Sequence, residues 1–212
     1  MKGWQKTLYV RCKNLKVSSL VVLMGGEENL IRLILGGARS GKSAYAESLA
    51  KRSELEGYKV FYIATAKSVV SSLVVEDCTV DSVDTEMLSR IQRHQADRPS
   101  HWKTIESPIH LADGLQALDN EKHCLLIDCL TLWTLNVLEA ECLEKEKKTL
   151  LSQLISLKSE VILVSNEVGL GVVPLGKLTR CFVDELGWLH QDVAKCADEV
   201  FFVTAGLPMK LK

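Results

Sequence analysis

The sequence predicts an α/β fold of the P-loop nucleotide-binding type, a mostly parallel central sheet flanked by helices. Three observations carry this. Five short apolar runs alternate with helical patterns along the chain, and strands separated by helices are joined in parallel. The runs are near-continuous in Val, Ile, Leu and Phe, as strands covered on both faces are. Between the first run and the first helical pattern lies Gly36-Gly37-Ala38-Arg39-Ser40-Gly41-Lys42-Ser43, a G-x-x-x-x-G-K-[ST] phosphate loop in its proper context.

The elements follow in order. Strands are expected at Arg32–Leu35, Lys59–Ala64, Cys124–Asp128, Val161–Ser165 and Val200–Thr204. A helix over Ser43–Leu55 places Ala46, Leu49 and Ala50 on one side, and Gly57 stops it. A second helix, Asn136–Leu157, lines up Leu143, Leu150, Leu154 and Leu157, with the charged run 144–148 read as its solvated face. A third, Leu178–Ala197, sets Phe182, Leu186, Leu189, Val193 and Ala197 at helical spacing. Asp84 to Pro99 reads as a short helix with Asp84 as its N-cap and Met87 and Ile91 inward. Arg98-Pro99 ends it, because a residue before proline avoids the helical conformation.

Length and composition narrow the function classes. The 212 residues leave room for one domain with extensions. With 26 basic and 27 acidic side chains, the net charge of -1 gives no reason to expect nucleic acid as a partner. No apolar run approaches the length of about 18 residues that spans a membrane. Seven scattered cysteines, Cys124 and Cys129 being the nearest pair in what reads as a buried strand, suit reduced thiols in a cytoplasmic protein. Residues 1–30 form an extension, expected to be poorly ordered. It is basic and free of acids to residue 16, then briefly apolar at Val17–Met24. A secretory signal would follow that order, but here the basic part is long and the apolar part short. The catalytic domain is expected over residues 31–212.

The phosphate loop has a chemical reason for each residue type. Glycines let the backbone approach phosphate oxygens, and successive N–H groups at a helix start form an anion cradle. Lys42 would reach the β and γ phosphates, and the Ser43 hydroxyl would ligate Mg²⁺. Asp128, delivered by an apolar run to the C-terminal edge of the sheet, is the expected second group for Mg²⁺, partly through water. Taken alone, Asp128 reads more readily as a helix cap for the segment that follows, and pairing with the phosphate loop favours the metal role. His94 lies in the last turn of its helix near Arg90, Arg93 and Arg98. Composition favours a surface histidine there, although a neutral imidazole beside arginines is also a nucleophile for phosphorus. His101, His110, His123 and His190 lack such a setting and read as structural.

Four segments together resemble the adenosylcobinamide kinase / adenosylcobinamide-phosphate guanylyltransferase family of cobalamin biosynthesis. They are the phosphate loop 36–43, Tyr62-Ile63-Ala64-Thr65-Ala66, Arg90-Ile91-x-x-His94-x-x-x-Arg98-Pro99-x-x-Trp102, and Ser165-Asn166-Glu167-Val168-Gly169-x-Gly171-x-x-Pro174. The resemblance runs from about Ile31 to Lys212. It implies a RecA-like P-loop enzyme, assembled as a homotrimer, that phosphorylates adenosylcobinamide with ATP or GTP. The enzyme then transfers GMP from GTP to adenosylcobinamide phosphate, through a covalent histidine adduct, releasing pyrophosphate. His94 matches the guanylylated histidine. Gly36, Gly37, Ala38, Arg39, Ser40, Gly41, Lys42 and Ser43 match the nucleotide loop, and Ala64, Thr65 and Ala66 a strand-end nucleotide contact. Gln95, Ala96, Asp97 and Arg98 match the nucleotide contact beside the histidine. Glu106 and Asp128 match acidic nucleotide-site positions.

The chain departs from that pattern twice. Most of residues 1–30 is extra, and about 14 residues are inserted at 69–83. Both segments carry Val-Ser-Ser-Leu-Val-Val, at Val17–Val22 and Val70–Val75. A coding element inserted twice would account for the repeat, and a start recorded too far upstream, with Met24 as an internal start, would account for the extension. Two other classes compete with the resemblance: a P-loop small-molecule kinase without guanylyl transfer, and a GTP-binding module, one version of which the insertion has inactivated.

Overall fold

A computed structural model describes residues 29–66 and 99–212. The expected helix over Asp84–Pro99, save Pro99 itself, the insertion at 69–83 and all but the last two residues of the 1–30 extension lie outside the described residues. Within them, Asn29 already joins the fold, its side-chain N–H donating to the Leu154 carbonyl at 3.0 Å.

All five expected strands are present, as β1 (Ile31–Gly36), β2 (Lys59–Ala64), β4 (His123–Asp128), β5 (Glu160–Asn166) and β6 (Glu199–Thr204). Two more complete a seven-stranded sheet of order β3-β2-β4-β5-β1-β6-β7. These are β3 (Lys103–Glu106) and β7 (Leu207–Lys210). Neighbours pair in parallel except β6 with β7. Strand β7 returns on β6 through Ala205 and Gly206, whose φ values of 51° and 79° fit the two-residue turn that matches strand twist.

The helices are α1 (Lys42–Leu55), α2 (Leu111–Ala117), α3 (Leu130–Glu139), α4 (Leu143–Leu154) and α5 (Lys177–Cys196). Alternate strand residues supply two cores, which is why the runs look continuously apolar. Leu33, Leu35, Phe61, Ile63, Leu125, Ile127, Val161 and Leu163 pack with residues of α2, α3, α4 and α5. Ile34, Val60, Tyr62, Leu126, Ile162 and Val164 pack on the other face with Ala46 and Ala50 of α1. Parallel strands buried between two helical layers make this a P-loop fold of the RecA-like kind, with β5 between the loop-bearing β1 and the Asp128-bearing β4.

Three expectations need correction. The single helix Asn136–Leu157 is two, α3 and α4, broken at Ala140–Cys142. There Glu141 adopts φ 54°, and the Cys142 amide donates back to the Val137 carbonyl at 3.0 Å. The charged run 144–148 is not wholly solvated: Glu146 is buried, with one oxygen 3.2 Å from His110 Nδ1. Cys129 is not in a strand but is the N-cap residue of α3.

Trp133 is fully buried, and its indole N–H donates to the Ile109 carbonyl at 2.7 Å, joining α3 to the segment after β3. Trp133→Ala removes that bond and leaves a large cavity. The expected cost is about 3–5 kcal/mol, a fall of roughly 6–20 °C in Tm for a chain of this size, read by thermal circular dichroism.

Candidate active site

The phosphate loop leaves the end of β1 and enters α1. Gly36 tolerates no side chain, since a Cβ there would lie 2.5 Å from both the Ser40 Oγ and the Val203 carbonyl oxygen. Gly41 has φ 93°, and a Cβ on it would press within 3.0 Å of the Gly206 Cα. The Gly206 amide in turn donates to the Ser40 carbonyl at 2.8 Å. The β6–β7 turn therefore braces the loop from outside.

Inside the loop, the Ser40 amide donates to the Gly37 carbonyl at 3.3 Å and Lys42 Nζ to the same oxygen at 3.3 Å. Among the described residues no acceptor takes the amides of Arg39 or Gly41, and those of Lys42 and Ser43 are free first-turn donors of α1. Ser40 Oγ is buried without a partner. Unspent donors around a turn at a helix start are the structural form of an anion cradle. Burial pushes the Lys42 ammonium below its usual pKa, an effect that the nearby Asp128 carboxylate opposes.

The sheet register gathers three further expected residues. Ala64 at the end of β2 is the partner of Glu106 on β3 and of Asp128 on β4, so the three form a row along the C-terminal edge, where open α/β sheets take ligands. Glu106 is exposed, and Ala64 and Ala66 are partly buried. Asp128 is not a helix cap: Cys129 holds that position, and Asp128 Oδ2 accepts the Tyr62 hydroxyl at 2.9 Å. Thr65 is fully buried. Its hydroxyl donates to the Cys129 carbonyl at 2.7 Å and accepts the Cys129 amide at 2.9 Å, and its own carbonyl accepts the Asn136 side-chain N–H at 2.8 Å. The Thr65 side chain is thus spent on tying β2 to the start of α3. Burial raises the neighbouring Cys129 thiol to about 11, leaving it an inert neutral group.

His94, Gln95, Ala96, Asp97 and Arg98 lie outside the described residues. The last residue of their motif does not: Trp102 is buried in the core on the α1 face, and its indole N–H donates to Glu54 Oε1 at 3.1 Å. The chain leaving the histidine motif is thereby fastened to the C-terminal half of α1.

Sequence reasoning missed a polar group beyond β5. Asn166 ends that strand as the register partner of Gly36, and the Glu167 amide donates to the Gly36 carbonyl at 3.0 Å. His190 is buried on the inner face of α5 with Leu186, Leu189 and Val193. Its Nε2 lies 2.7 Å from Ser165 Oγ, and its Nδ1 lies 3.7 Å from Glu167 Oε2. The signal was present: Asn166-Glu167 follows an apolar run just as Asp128 ends one, and His190 keeps the spacing of the buried leucines.

Burial lowers the His190 pKa from its usual 6.5, and Glu167, the charged group facing it, opposes the shift. The unfolded chain therefore binds this proton at higher pH than the folded one. Stability from this group is fully present above about pH 6.5 and declines as pH falls below it. Urea midpoints of the wild type are expected to drop from about pH 7.5 to about pH 5.5, and the drop to shrink in His190→Gln.

Comparison with known proteins adds to this geometry. Residues 32–211 match the sequence model of a family described as cobinamide kinase / cobinamide phosphate guanyltransferase. The bifunctional adenosylcobalamin biosynthesis protein CobP of Pseudomonas aeruginosa is 50% identical over 183 residues, covering 85% of this chain and 96% of that protein. The bifunctional adenosylcobalamin biosynthesis protein CobU of Escherichia coli is 33% identical over 196 residues, covering 85% and 98%. Among solved structures, the flagellar accessory protein FlaH of Methanocaldococcus jannaschii superposes at a TM-score of 0.46 with 15% identity, covering 86% of this chain and 78% of that one.

Proposed function

Because the chain belongs to the cobinamide kinase / cobinamide phosphate guanyltransferase family, we propose that it runs both reactions from one nucleotide cradle, with His94 as the guanylyl carrier. It phosphorylates adenosylcobinamide with ATP or GTP. It then transfers GMP from GTP to adenosylcobinamide phosphate, giving adenosylcobinamide-GDP and pyrophosphate. The observation that carries this reading is the loop 36–43, with the amides of Arg39, Gly41, Lys42 and Ser43 unspent and Lys42 beside Asp128.

In the kinase step the loop amides and Lys42 hold the nucleotide tail and offset charge on the transferred γ-phosphoryl. In the second reaction an imidazole nitrogen of His94 attacks the α-phosphorus, the α,β-bridging P–O bond breaks, and pyrophosphate leaves. An oxygen of adenosylcobinamide phosphate then attacks the same phosphorus and the P–N bond breaks. Two displacements through a nucleophile replace one harder transfer. Gln95, Ala96, Asp97 and Arg98 contact the nucleotide beside His94. Ala64, Ala66 and Glu106 line the sheet edge, and Thr65 contributes by holding that edge in shape.

The donors suit Mg²⁺. Ser43 and Asp128 offer hard oxygens, and among the described residues no three His, Cys, Asp or Glu side chains gather into a cage. Mg²⁺ in phosphate sites takes one or two carboxylates plus the phosphates themselves. When bound it neutralises charge on those phosphates.

The assembly is a homotrimer in this reading, as the family resemblance implies, and the exposed apolar Leu170, Val172, Val173, Leu175 and Leu178 support a surface for association. Residues 31–212 form the single catalytic domain. A cytoplasmic place is supported by the reduced thiols of Cys124, Cys129, Cys142 and Cys181. No helix among the described residues is long and apolar enough to cross a membrane.

The reading is tested with GTP labelled at the α-phosphorus. Label should stay on the denatured protein and leave it when adenosylcobinamide phosphate is added before denaturation. GTP labelled at the γ-phosphorus should leave no such mark. Protein that never retains α-label overturns the covalent step.

A further inference from the structure

We propose that Glu167, held by the buried His190, accepts the proton of the acceptor hydroxyl when the γ-phosphoryl group is transferred. This rests on the nucleotide tail lying in the 36–43 cradle, as read above.

Strand order places the group. β5 runs between β1, which ends in the phosphate loop, and β4, which ends in Asp128. A residue leaving the end of β5 therefore emerges between the two groups assigned to the nucleotide tail. Glu167 is the first residue past β5. Its amide bond to the Gly36 carbonyl, 3.0 Å long, pins it to the first glycine of the loop. Asp128, the other carboxylate at this edge, is tied by Tyr62 and assigned to the cation. Glu167 is left to act on a proton.

The carboxylate is held at one oxygen and open at the other. Oε1 accepts the Gly169 amide at 2.6 Å, which sets its tilt. Oε2 faces His190 Nδ1 at 3.7 Å. The Glu167 side chain is 23% exposed, so a ligand at the C-terminal edge of the sheet can reach it.

Behind it stands a polar chain that crosses three elements. The Asn166 amide donates to Thr131 Oγ1 at 2.7 Å, Thr131 Oγ1 is 3.2 Å from Ser165 Oγ, and Ser165 Oγ is 2.7 Å from His190 Nε2. The Asn166 N–H donates, while each hydroxyl can both donate and accept. In the proposed arrangement Thr131 donates to Ser165 and Ser165 donates to Nε2, which puts the imidazole proton on Nδ1, aimed at Glu167. His190 orients the carboxylate. The gap of 3.7 Å is longer than a hydrogen bond, as catalytic contacts without substrate often are.

Stability does not explain this arrangement. An ion pair with a partly exposed partner contributes little to it, and His190 Nδ1 and Asn166 Oδ1 are both buried without hydrogen-bond partners. Unspent polar atoms gathered at one strand end, beside a phosphate cradle, are what a site that meets its partners in a ligand would show.

The step balances. The acceptor O–H bond breaks, its proton goes to Glu167 Oε2, and the oxygen bonds the γ-phosphorus. The bond from that phosphorus to the β,γ-bridging oxygen breaks, and the electron pair leaves with the nucleoside diphosphate. Guanylyl transfer has no such need, because its acceptor is a phosphate that is already ionised. Glu167 is thus a catalytic residue for one of the two reactions, and His190 is its positioning residue.

The test measures both reactions on the full chain, as wild type, Glu167→Gln, Glu167→Asp and His190→Gln. Phosphorylation of adenosylcobinamide is followed at steady state, and guanylyl transfer is followed from α-labelled GTP to adenosylcobinamide phosphate. Glu167→Gln should lower kcat for phosphorylation by about 10²–10⁴-fold with KM for nucleotide near the wild-type value. Glu167→Asp should recover part of that rate, and His190→Gln should lose less than Glu167→Gln. Guanylyl transfer should fall far less in each and so report that the variants are folded. Equal losses in both reactions, or unchanged phosphorylation in Glu167→Gln, overturn the proposal. A wild type that phosphorylates without transferring guanylyl fails the His94 reading alone, and its phosphorylation rates still decide Glu167.

Discussion

His94→Asn is expected to reduce the α-label retained on the denatured protein to background. Asparagine keeps a polar side chain of similar reach but has no nitrogen lone pair that attacks phosphorus. Without the adduct, guanylyl transfer to adenosylcobinamide phosphate should fall by at least about 10³-fold. Phosphorylation of adenosylcobinamide should persist, because no step of it passes through the imidazole. The bond itself offers a second check. A phosphoramidate is cleaved by acid and survives alkali, so wild-type label should be lost in acid and kept in base. Label that persists on His94→Asn places the adduct on another side chain.

Lys42→Ala is expected to be nearly as severe and to strike both reactions. Lys42 is half-buried, fixed on the Gly37 carbonyl and opposed by Asp128. A charge set in place before reaction stabilises developing charge without reorganisation. Phosphoryl transfer builds charge on the γ-phosphoryl and its leaving group, and guanylyl transfer builds it on departing pyrophosphate. Loss of Lys42 should lower kcat by about 10²–10³-fold in each, measured at saturating nucleotide. Lys42→Arg should not restore it, because a planar guanidinium is larger and cannot stand as a compact point charge. A loss under about tenfold in both reactions means that the amides alone hold the tail.

The signals that single out these two residues are local. A glycine pattern between an apolar run and a helical pattern needs no tertiary information, and the motif around His94 was readable as a family resemblance. Elements that the sequence did not announce share a different trait. Strand β3 is half-polar and exposed along most of its length, so it lacks the apolar signature of a covered strand. Strand β7 is exposed throughout and exists by pairing with β6. The break between α3 and α4 rests on one left-handed residue, Glu141, which no composition rule marks.

His190 shows the same division at the level of the site. From its neighbours in sequence it reads as a helix residue of no special kind. Only packing α5 on β5 brings its ring to Ser165 and opposite Glu167. The β6–β7 turn likewise bears on the phosphate loop through Gly206 and Gly41, residues far apart in the chain.

The amino-acid order by itself determined the α/β class, five of the seven strands, the phosphate loop and the acidic residue at the end of β4. Each of these is a short-range pattern of polarity, glycine spacing or run length, and short-range patterns are written along the chain. Tertiary structure alone decided that β5 lies between the loop and Asp128, that Thr65 is spent inside the sheet edge, and that Glu167 faces a buried imidazole. Those facts depend on strand order and helix docking, which bring together side chains that no spacing in the sequence relates.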